Sequence, residues 1–217
     1  MRFLRRPRQA SRSIAVFCGA FHPPTVAHVA LANAARSVVD EVVWVMPERF
    51  PHKAYKEVPL PERLRMVLES TMDAVGVASE SLFFSIAAET EESLPDTEIR
   101  LLIGEDGARR ILEWDYGFGE LENEEYLERN LRRYGILTAR RQEEWSLPMR
   151  LEKHFAWLEI EAEMRSVSST EVRQRIASGS DWEELVPEGI HRHVQRQYIC
   201  SEGDAQEACR PVILASR

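Results

Sequence analysis

Hydrophobic and polar residues follow two periodicities along this chain. Short apolar runs of strand length alternate with segments whose apolar residues recur every three to four positions, as in amphipathic helices. The predicted strands are residues 13–18, 41–46, 81–86, 99–103, 134–139 and 155–160. The predicted helices are residues 29–39, 60–75, 108–114, 120–133 and the segment after 168. This alternation predicts an α/β fold, a doubly wound parallel sheet of five to six strands with a C-terminal helical part.

Length and composition favour one domain. The chain has 217 residues, of which 44% are hydrophobic, so it can bury a sizeable core. We assign the domain to residues 13–200. The arginine-rich residues 1–12 and the segment 201–217 are terminal extensions, and a solvated tail is expected at 1–12. No apolar run approaches the roughly 18 residues that span a bilayer, so no membrane partner is expected.

Charge and cysteine usage narrow the partners. A net charge of −8 argues against general nucleic-acid binding, which needs a basic face, but allows a small anionic substrate. The three cysteines, Cys18, Cys200 and Cys209, lack metal-ligand spacing and indicate a reducing, cytoplasmic location. Cys18 is expected in the core, with a nucleophilic role as the alternative. A homo-oligomer stays open.

Residues 19–28 form a predicted turn between the first strand and the first helix. Gly19 stands at the turn, and His28 falls in the first helical turn. A helix N-terminus offers free N–H groups and partial positive charge, which together bind anions. His22, Thr25 and His28 around one glycine turn therefore indicate a phosphate site. The alternative is an ordinary turn whose prolines start the helix.

Other candidate residues follow the remaining strands. In doubly wound sheets, ligands bind beyond the carboxyl ends of the strands. Lys53 follows the second predicted strand, Gly104 and Asp106 follow the fourth, and Arg140 follows the fifth. We therefore expect them at the same edge as the glycine turn. Solvation is the alternative for Lys53 and Arg140, and helix capping is the alternative for Asp106.

A second predicted helix N-terminus carries hydroxyls and a cation. Ser169 and Thr170 precede the helical pattern of Val172 and Ile176, so they can cap that helix and leave its N–H groups to a phosphate. Arg173 would lie about one turn further, aimed at the same phosphate. The alternative is an ordinary N-cap with a solvated arginine.

These motifs resemble the HxGH nucleotidyltransferase superfamily and, within it, the nicotinate/nicotinamide mononucleotide adenylyltransferases. The first superfamily motif, G-x-F-[DN]-P-x-[HT]-x-x-H, reads here Gly19-Ala-Phe21-His22-Pro23-Pro-Thr25-Val-Ala-His28. The adenylyltransferase motif I-S-S-T-x-[IV]-R reads Val167-Ser168-Ser169-Thr170-Glu-Val-Arg173. Further similar segments, in the family's order, are Pro51-His52-Lys53, Pro61-Glu-Arg63-Leu-Arg-Met66, Gly104-Glu-Asp106 with Trp114, Val186-Pro187 and Tyr198-Ile199.

The resemblance implies a Rossmann-like fold and transfer of AMP from ATP to a pyridine mononucleotide in NAD biosynthesis. The implied catalytic residues are His28, Lys53 and Arg173, and the implied acceptor-binding residue is Trp114. The implied nucleotide-binding residues are Gly19, Phe21, His22, Thr25, Gly104, Asp106, Arg140, Ser168, Ser169 and Thr170. Mg²⁺ would be held mainly by the ATP phosphates, with no dedicated protein metal site. The alternatives are transfer to a different phosphorylated acceptor and a non-catalytic nucleotide-binding regulator.

Two departures from the family pattern concern function. His22 stands where the family has Asp or Asn, and Thr25 stands where it often has His. Residues 87–98 also lack the Y-T-x-x-T sequence of the bacterial nicotinate mononucleotide enzymes. We therefore expect the helix that carries that sequence, which helps to form the acceptor pocket, to be missing.

Overall fold

A computed structural model describes residues 1–49, 58–140 and 145–199. Seven strands form one sheet in the order β1-β4-β3-β2-β5-β6-β7. Every neighbouring pair is parallel except β1 with β4. The strands are β1 (Arg2–Arg5), β2 (Ser13–Cys18), β3 (Glu41–Pro47), β4 (Ala74–Ala78), β5 (Glu98–Leu102), β6 (Ile136–Thr138) and β7 (Phe155–Trp157).

Helices follow most of the strands. The α-helices are α1 (Val26–Ala35), α2 (Leu60–Ser70), α3 (Phe83–Ser93), α4 (Glu105–Glu113), α5 (Glu120–Tyr134), α6 (Ala162–Ser166), α7 (Ser169–Ser178) and α8 (His191–Val194). Short 3₁₀-helices occupy Met149–His154, Glu183–Leu185 and Glu188–Ile190, and a π-helical turn, Gln195–Ile199, continues α8. The doubly wound α/β fold is therefore confirmed, with seven strands rather than five or six.

Strand β2 lies at the centre of the sheet and supplies both hydrophobic cores. Val16 pairs with Val43 of β3 on one side and with Leu101 of β5 on the other. Its side chain packs with helices α3, α4 and α5 on one face. The neighbouring Phe17 packs with α1 and α2 on the opposite face. Alternate residues of a strand point to opposite faces, so a strand buried on both sides reads as a continuous apolar run.

A third core holds the C-terminal helical part against the rest of the molecule. Val172 of α7, Ile190 at the end of the 3₁₀-helix Glu188–Ile190 and Val194 of α8 are buried with Met66 of α2. This cluster attaches α7 to the sheet through α2, and it fixes where the N-terminus of α7 lies.

The third predicted strand is wrong. Residues 81–86 begin helix α3, while the strand β4 occupies Ala74–Ala78, partly inside the segment predicted as helix 60–75. The apolar residues of α3 recur at Phe84 and Ala87, three positions apart, and both are buried on one side. Five residues of β4 are all buried, a run too short to show a period of its own.

The extension 1–12 contains an unexpected strand. Strand β1 pairs antiparallel with β4 and covers that edge of the sheet. The Arg5 guanidinium donates hydrogen bonds to the carbonyl oxygens of Thr71 and Asp73, at 2.6 and 3.0 Å. The expected solvated tail is therefore wrong for Arg2–Arg5. Residues 201–217 lie outside the described residues.

The carboxyl ends of the parallel strands meet at one edge of the sheet. The segments that follow Cys18 of β2, Leu102 of β5 and Thr138 of β6 therefore begin side by side. None of the helices in the described ranges is long and apolar enough to cross a membrane.

Candidate active site

A cleft of about 290 Å³ lies at the carboxyl edge of the sheet. Its walls come from the turn between β2 and α1, the start of α3, the segment from Gly104 through α4, and the segment from α6 to α7. The predicted site residues that line it are Gly19, Phe21, His22, Thr25, His28, Gly104, Asp106, Trp114, Ser168, Ser169, Thr170 and Arg173. The structure thus brings together the motifs that the sequence places far apart.

Thr25 and His28 form a reciprocal cap at the N-terminus of α1. The Thr25 hydroxyl oxygen accepts a hydrogen bond from the backbone N–H of His28 at 3.4 Å. The backbone N–H of Thr25 in turn donates to His28 Nδ1 at 3.0 Å. Because Nδ1 accepts, the proton of the neutral imidazole is on Nε2. His28 is thereby held as a donor beside a helix N-terminus.

The turn before α1 is tightly packed around the Phe21 ring. Phe21 is buried with a left-handed backbone φ of 44°, and its ring lies 4.9 Å from Trp44 and 5.2 Å from His28 between centroids. A Cβ on Gly19 would approach the Phe21 ring carbons to 2.8 Å. Arg63 of α2, also buried, donates from Nη1 to the Ala20 carbonyl oxygen at 2.9 Å. Only a residue without a side chain fits under this ring.

We expect Gly19→Ala to destabilise the protein by about 1–3 kcal/mol, because the Phe21 ring must leave its packed position. Urea unfolding measures this change in free energy. Gly119→Ala is the matched control, since an added Cβ there meets no atom within 4 Å and the backbone φ of −68° is ordinary. Equal unfolding free energies for the two variants would contradict the packing argument.

Hydrogen bonds join the N-terminus of α7 to the turn before α1. The Ser169 hydroxyl donates to the Pro23 carbonyl oxygen at 2.7 Å. Arg173 Nη1 donates to the His22 carbonyl oxygen at 2.6 Å and to the Ser169 carbonyl oxygen at 3.1 Å. Arg173 Nη2 donates to the Thr170 hydroxyl oxygen at 3.2 Å. Two helix N-termini therefore stand next to each other at the cleft, where their partial charges add.

The cap of α7 differs from the prediction. Ser168, rather than Ser169 or Thr170, is the N-cap, and its hydroxyl oxygen accepts from the Glu171 backbone N–H at 3.1 Å. Ser169 and Thr170 lie in the first turn, so their hydroxyls are left for other partners.

The ring of His22 packs edge-on against the Tyr198 ring, with centroids 5.2 Å apart. This contact places the C-terminal helical part behind the turn.

Helices α3 and α4 form the opposite wall of the cleft. Gly104 is the N-cap of α4, Asp106 lies in its first turn, and Trp114 follows its last turn. Helix α3 stands between β4 and β5, where the sequence predicts a missing helix, and it contributes Phe83 and Ile86 to the lining. The expectation of a missing helix is therefore wrong. The family's Y-T sequence is absent, but a helix whose first six residues are mostly apolar stands in that place.

Two further arginines, which the sequence did not predict as site residues, also line the cleft. Arg110 lies on α4 between Asp106 and Trp114, four residues from each. Residues four apart share a helix face, so helical periodicity applied to the Gly104–Trp114 segment would have found it. Arg165 of α6 also lines the cleft and pairs with Glu159 at 3.4 Å. No sequence signal for Arg165 is evident, since α6 has five residues.

Three other candidates have different outcomes. Arg140 does not line the cleft, and its guanidinium stacks over the Trp157 ring, 4.3 Å from the centroid. Lys53 lies outside the described residues. Burial raises the pKa of the Cys18 thiol well above its usual range, so Cys18 stays protonated and the nucleophilic alternative is not supported. Within the described ranges, no group of three or more His, Cys, Asp or Glu could hold a metal ion.

Known proteins of similar sequence include adenylyltransferases with two different acceptors. A probable nicotinate-nucleotide adenylyltransferase of Salinibacter ruber is 25% identical over 84% of this chain and 94% of its own length. A phosphopantetheine adenylyltransferase of Nitratidesulfovibrio vulgaris is 24% identical over 85% of this chain and 83% of its own length. These relatives support a nucleotidyltransferase and leave the acceptor open.

Solved structures and a family model agree on the fold. The nicotinic acid mononucleotide adenylyltransferase of Plasmodium falciparum, complexed with NaAD, superposes with a TM-score of 0.63 at 14% identity, covering 85% of this chain and 95% of that one. The family model described as cytidylyltransferase-like matches residues 16–175, which include the turn before α1 and the N-terminus of α7. The chain therefore belongs to the cytidylyltransferase-like family and is a nucleotidyltransferase.

Proposed function

We propose that the protein transfers AMP from ATP to a pyridine mononucleotide, nicotinate or nicotinamide mononucleotide, and releases pyrophosphate. The observation that carries this proposal is a pair of adjacent helix N-termini beside His28. The same cleft is also lined by the aromatic side chains of Phe83, Trp114 and Tyr116. One side of the cleft suits a triphosphate, and the other suits a flat ring. The resemblance to nicotinate-nucleotide adenylyltransferases supports the same acceptor class.

The triphosphate binds between α1 and α7 in this proposal. The N–H groups of both first turns that have no intrahelical partner, the Thr170 hydroxyl and His28 Nε2 supply donors without any covalent step. Arg173 adds positive charge while it holds the turn in place. Lys53, on its predicted loop after β3, is proposed to contact the phosphates as well.

The reaction needs no nucleophilic side chain. An oxygen of the acceptor phosphate attacks the α-phosphorus of ATP, a new P–O bond forms, and the bond to the bridging β-phosphate oxygen breaks. That electron pair leaves with pyrophosphate, so negative charge grows on the leaving group. Positioning of the two anions and stabilisation of this charge are the main contributions of the protein. A hydrogen bond from His28 Nε2 would strengthen as the charge develops.

The acceptor ring stacks on Trp114 in this proposal, with Asp106 close to the ribose hydroxyls. Asp106 is the one carboxylate among the described lining residues. Mg²⁺ typically binds through one or two carboxylates together with substrate phosphates. The donors present therefore fit an ion carried by ATP, which would neutralise the charge of its phosphates. A cytoplasmic location and a role in NAD biosynthesis follow from this assignment as predictions.

An acceptor screen tests the proposal. The protein is incubated with ATP, Mg²⁺ and one acceptor at a time, and pyrophosphate release and the mass of the product are measured. Nicotinate mononucleotide, nicotinamide mononucleotide and phosphopantetheine are the acceptors, and CTP replaces ATP as a control. We expect a dinucleotide product from a pyridine mononucleotide with ATP. Turnover of phosphopantetheine alone would move the assignment to the second relative's reaction. ATP binding by calorimetry without pyrophosphate from any acceptor would instead indicate a regulator.

A further inference from the structure

Aromatic rings, as well as the helix cap, hold His28 in place. The backbone N–H of Thr25 fixes the position of Nδ1, but hydrogen bonds to that one atom leave the imidazole free to turn about it. The ring lies edge-on to Phe21, with centroids 5.2 Å apart, and is tilted against Phe17 at 5.9 Å. These contacts limit the turn, because closely packed side chains occupy defined positions. The direction of Nε2 therefore depends on where the two phenyl rings lie.

Phe21 has a backbone conformation that its neighbours must maintain. Its φ of 44° is in the left-handed region, which a bulky residue keeps only where surrounding contacts hold it. The Phe21 ring packs on Trp44 of β3 at 4.9 Å and on Phe17 of β2 at 5.2 Å between centroids. Phe17 and Trp44 pair with each other across the two strands. A displaced Trp44 would therefore let Phe21 move, and His28 with it.

The Trp44 indole is anchored at the edge of the sheet opposite the cleft. Trp44 is buried, and its Nε1–H donates to Asp73 Oδ2 at 2.9 Å. A buried indole N–H needs such an acceptor. Asp73 directly precedes β4, so it lies at the amino ends of the parallel strands, about 16 Å from the carboxyl end of β4. The same carboxylate accepts from the Thr71 hydroxyl at 2.9 Å and pairs with Arg36, so it is itself fixed.

Asp73 thereby connects to both ends of helix α1. Arg36 is the C-cap of α1 and pairs with Asp73 directly. His28 lies in the first turn, about 12 Å away along the axis, and is reached through Trp44 and Phe21. Among the described residues that line the cleft, neither Asp73 nor Trp44 occurs. Any effect of these two residues on the reaction must therefore act through others.

We propose that Trp44 and Asp73 are positioning residues for His28. The carboxylate fixes the indole, the indole holds the Phe21 ring, and that ring holds the imidazole so that Nε2 meets the leaving pyrophosphate. This inference rests on the proposed function, in which Nε2 donates to the developing charge. A hydrogen bond weakens steeply when it is misaligned, so a small turn of the imidazole lowers kcat. Binding of ATP by the helix N-termini persists.

Trp44→Phe tests the proposal, because it keeps an aromatic ring and removes the indole N–H. With ATP, Mg²⁺ and the acceptor from the screen, kcat per folded molecule should fall about 10-fold, and the KM for ATP should stay within about threefold. In the His28→Asn background, which lacks Nε2, the same substitution should change kcat by less than about twofold. Asp73→Ala should resemble Trp44→Phe. Asp73→Asn keeps an oxygen for the indole and should stay within about threefold of wild-type kcat.

Trp182→Phe is the matched control. Trp182 is also buried beside a histidine, with its ring 5.7 Å from that of His191, and it is not among the described residues that line the cleft. It should lower the thermal midpoint and leave kcat per folded molecule unchanged. Nuclear magnetic resonance of the histidine ring nitrogens gives a readout without turnover. The His28 signal, assigned by its loss in His28→Asn, should shift in Trp44→Phe and Asp73→Ala and stay in Trp182→Phe.

Three outcomes would overturn the positioning role while the proposed function stands. They are equal falls in kcat with and without the His28 imidazole, a His28 signal that does not move, and lower thermal midpoints with unchanged kcat per folded molecule. The last would make Trp44 and Asp73 stabilising residues of the sheet alone. A wild type that turns over none of the acceptors would overturn the proposed function instead. The ring-nitrogen signal would then decide by itself whether Trp44 and Asp73 position His28.

Discussion

Replacement of His28 by alanine is expected to lower kcat by roughly 10²- to 10³-fold, the usual loss for one donor to a developing anion. His28 Nδ1 accepts from the Thr25 backbone N–H, which leaves the proton of the neutral imidazole on Nε2, and His28 lines the cleft. The interaction strengthens as charge moves onto pyrophosphate, so the loss appears in kcat. The KM for ATP should change much less, because Arg173 and the helix N-termini still hold the triphosphate. Steady-state kinetics with the acceptor from the screen measures both constants.

A paired variant separates the chemical role of His28 from its structural one. Loss of the imidazole that accepts from the Thr25 backbone N–H should itself cost about 1 kcal/mol of stability in His28→Ala. Asparagine places an oxygen close to the position of Nδ1, so His28→Asn can keep the bond from the Thr25 N–H while it lacks Nε2. We expect His28→Asn to be as slow as the alanine variant but close to wild type in thermal midpoint. A lowered midpoint in His28→Ala with full activity per folded molecule would falsify the catalytic role.

For Arg173→Ala we expect a loss of about 10²-fold or more in kcat/KM, because small misplacements of bound phosphates are costly. Arg173 joins the His22 carbonyl to the first turn of α7, so its removal frees the two halves of the anion site to separate. Stability should fall by about 1–3 kcal/mol through the lost charged hydrogen bonds. The KM for ATP should rise together with the loss in kcat. Urea unfolding and initial rates measure the two effects.

Arg175→Ala is the matched control on the same helix. Arg175 pairs with Glu171 at 2.8 Å and donates to the Asp181 carbonyl oxygen at 3.1 Å, and it does not line the cleft. It should lose some stability and keep its kinetic constants. If both variants lost activity in proportion to stability alone, Arg173 would be a structural residue of α7 rather than part of the site.

The sequence predicts the segments whose signals are local. The turn 19–28 and the start of α7 were recognisable because strand, turn and cap residues stand at fixed spacing. Strand β4 was not, since five buried residues fit a helix or a strand equally well. Strand β1 depends on pairing with β4, a contact between distant segments that no local pattern reveals. Tertiary pairing decided both elements.

The candidate site shows the same division. The rule that ligands bind beyond strand ends led to the correct edge of the sheet, but it does not give side-chain direction. Arg140 stands at that edge and turns to Trp157, whereas Arg110 lies inside a helix and faces the cleft. Position along a strand was a good guide to the location of the cleft. Helix periodicity was the better guide to which residues enter it.

The bonds between α7 and the turn before α1 also have a consequence for protein synthesis. Ser169 and Pro23 are 146 residues apart, and Arg173 and His22 are 151 apart. A ribosome releases the glycine turn first and α7 only after all seven strands of the sheet. A nascent chain can therefore pair its sheet early, but it holds only half of the anion site until its last third emerges. If nucleotide binds as proposed, it would meet an incomplete site until α7 (Ser169–Ser178) has left the ribosome.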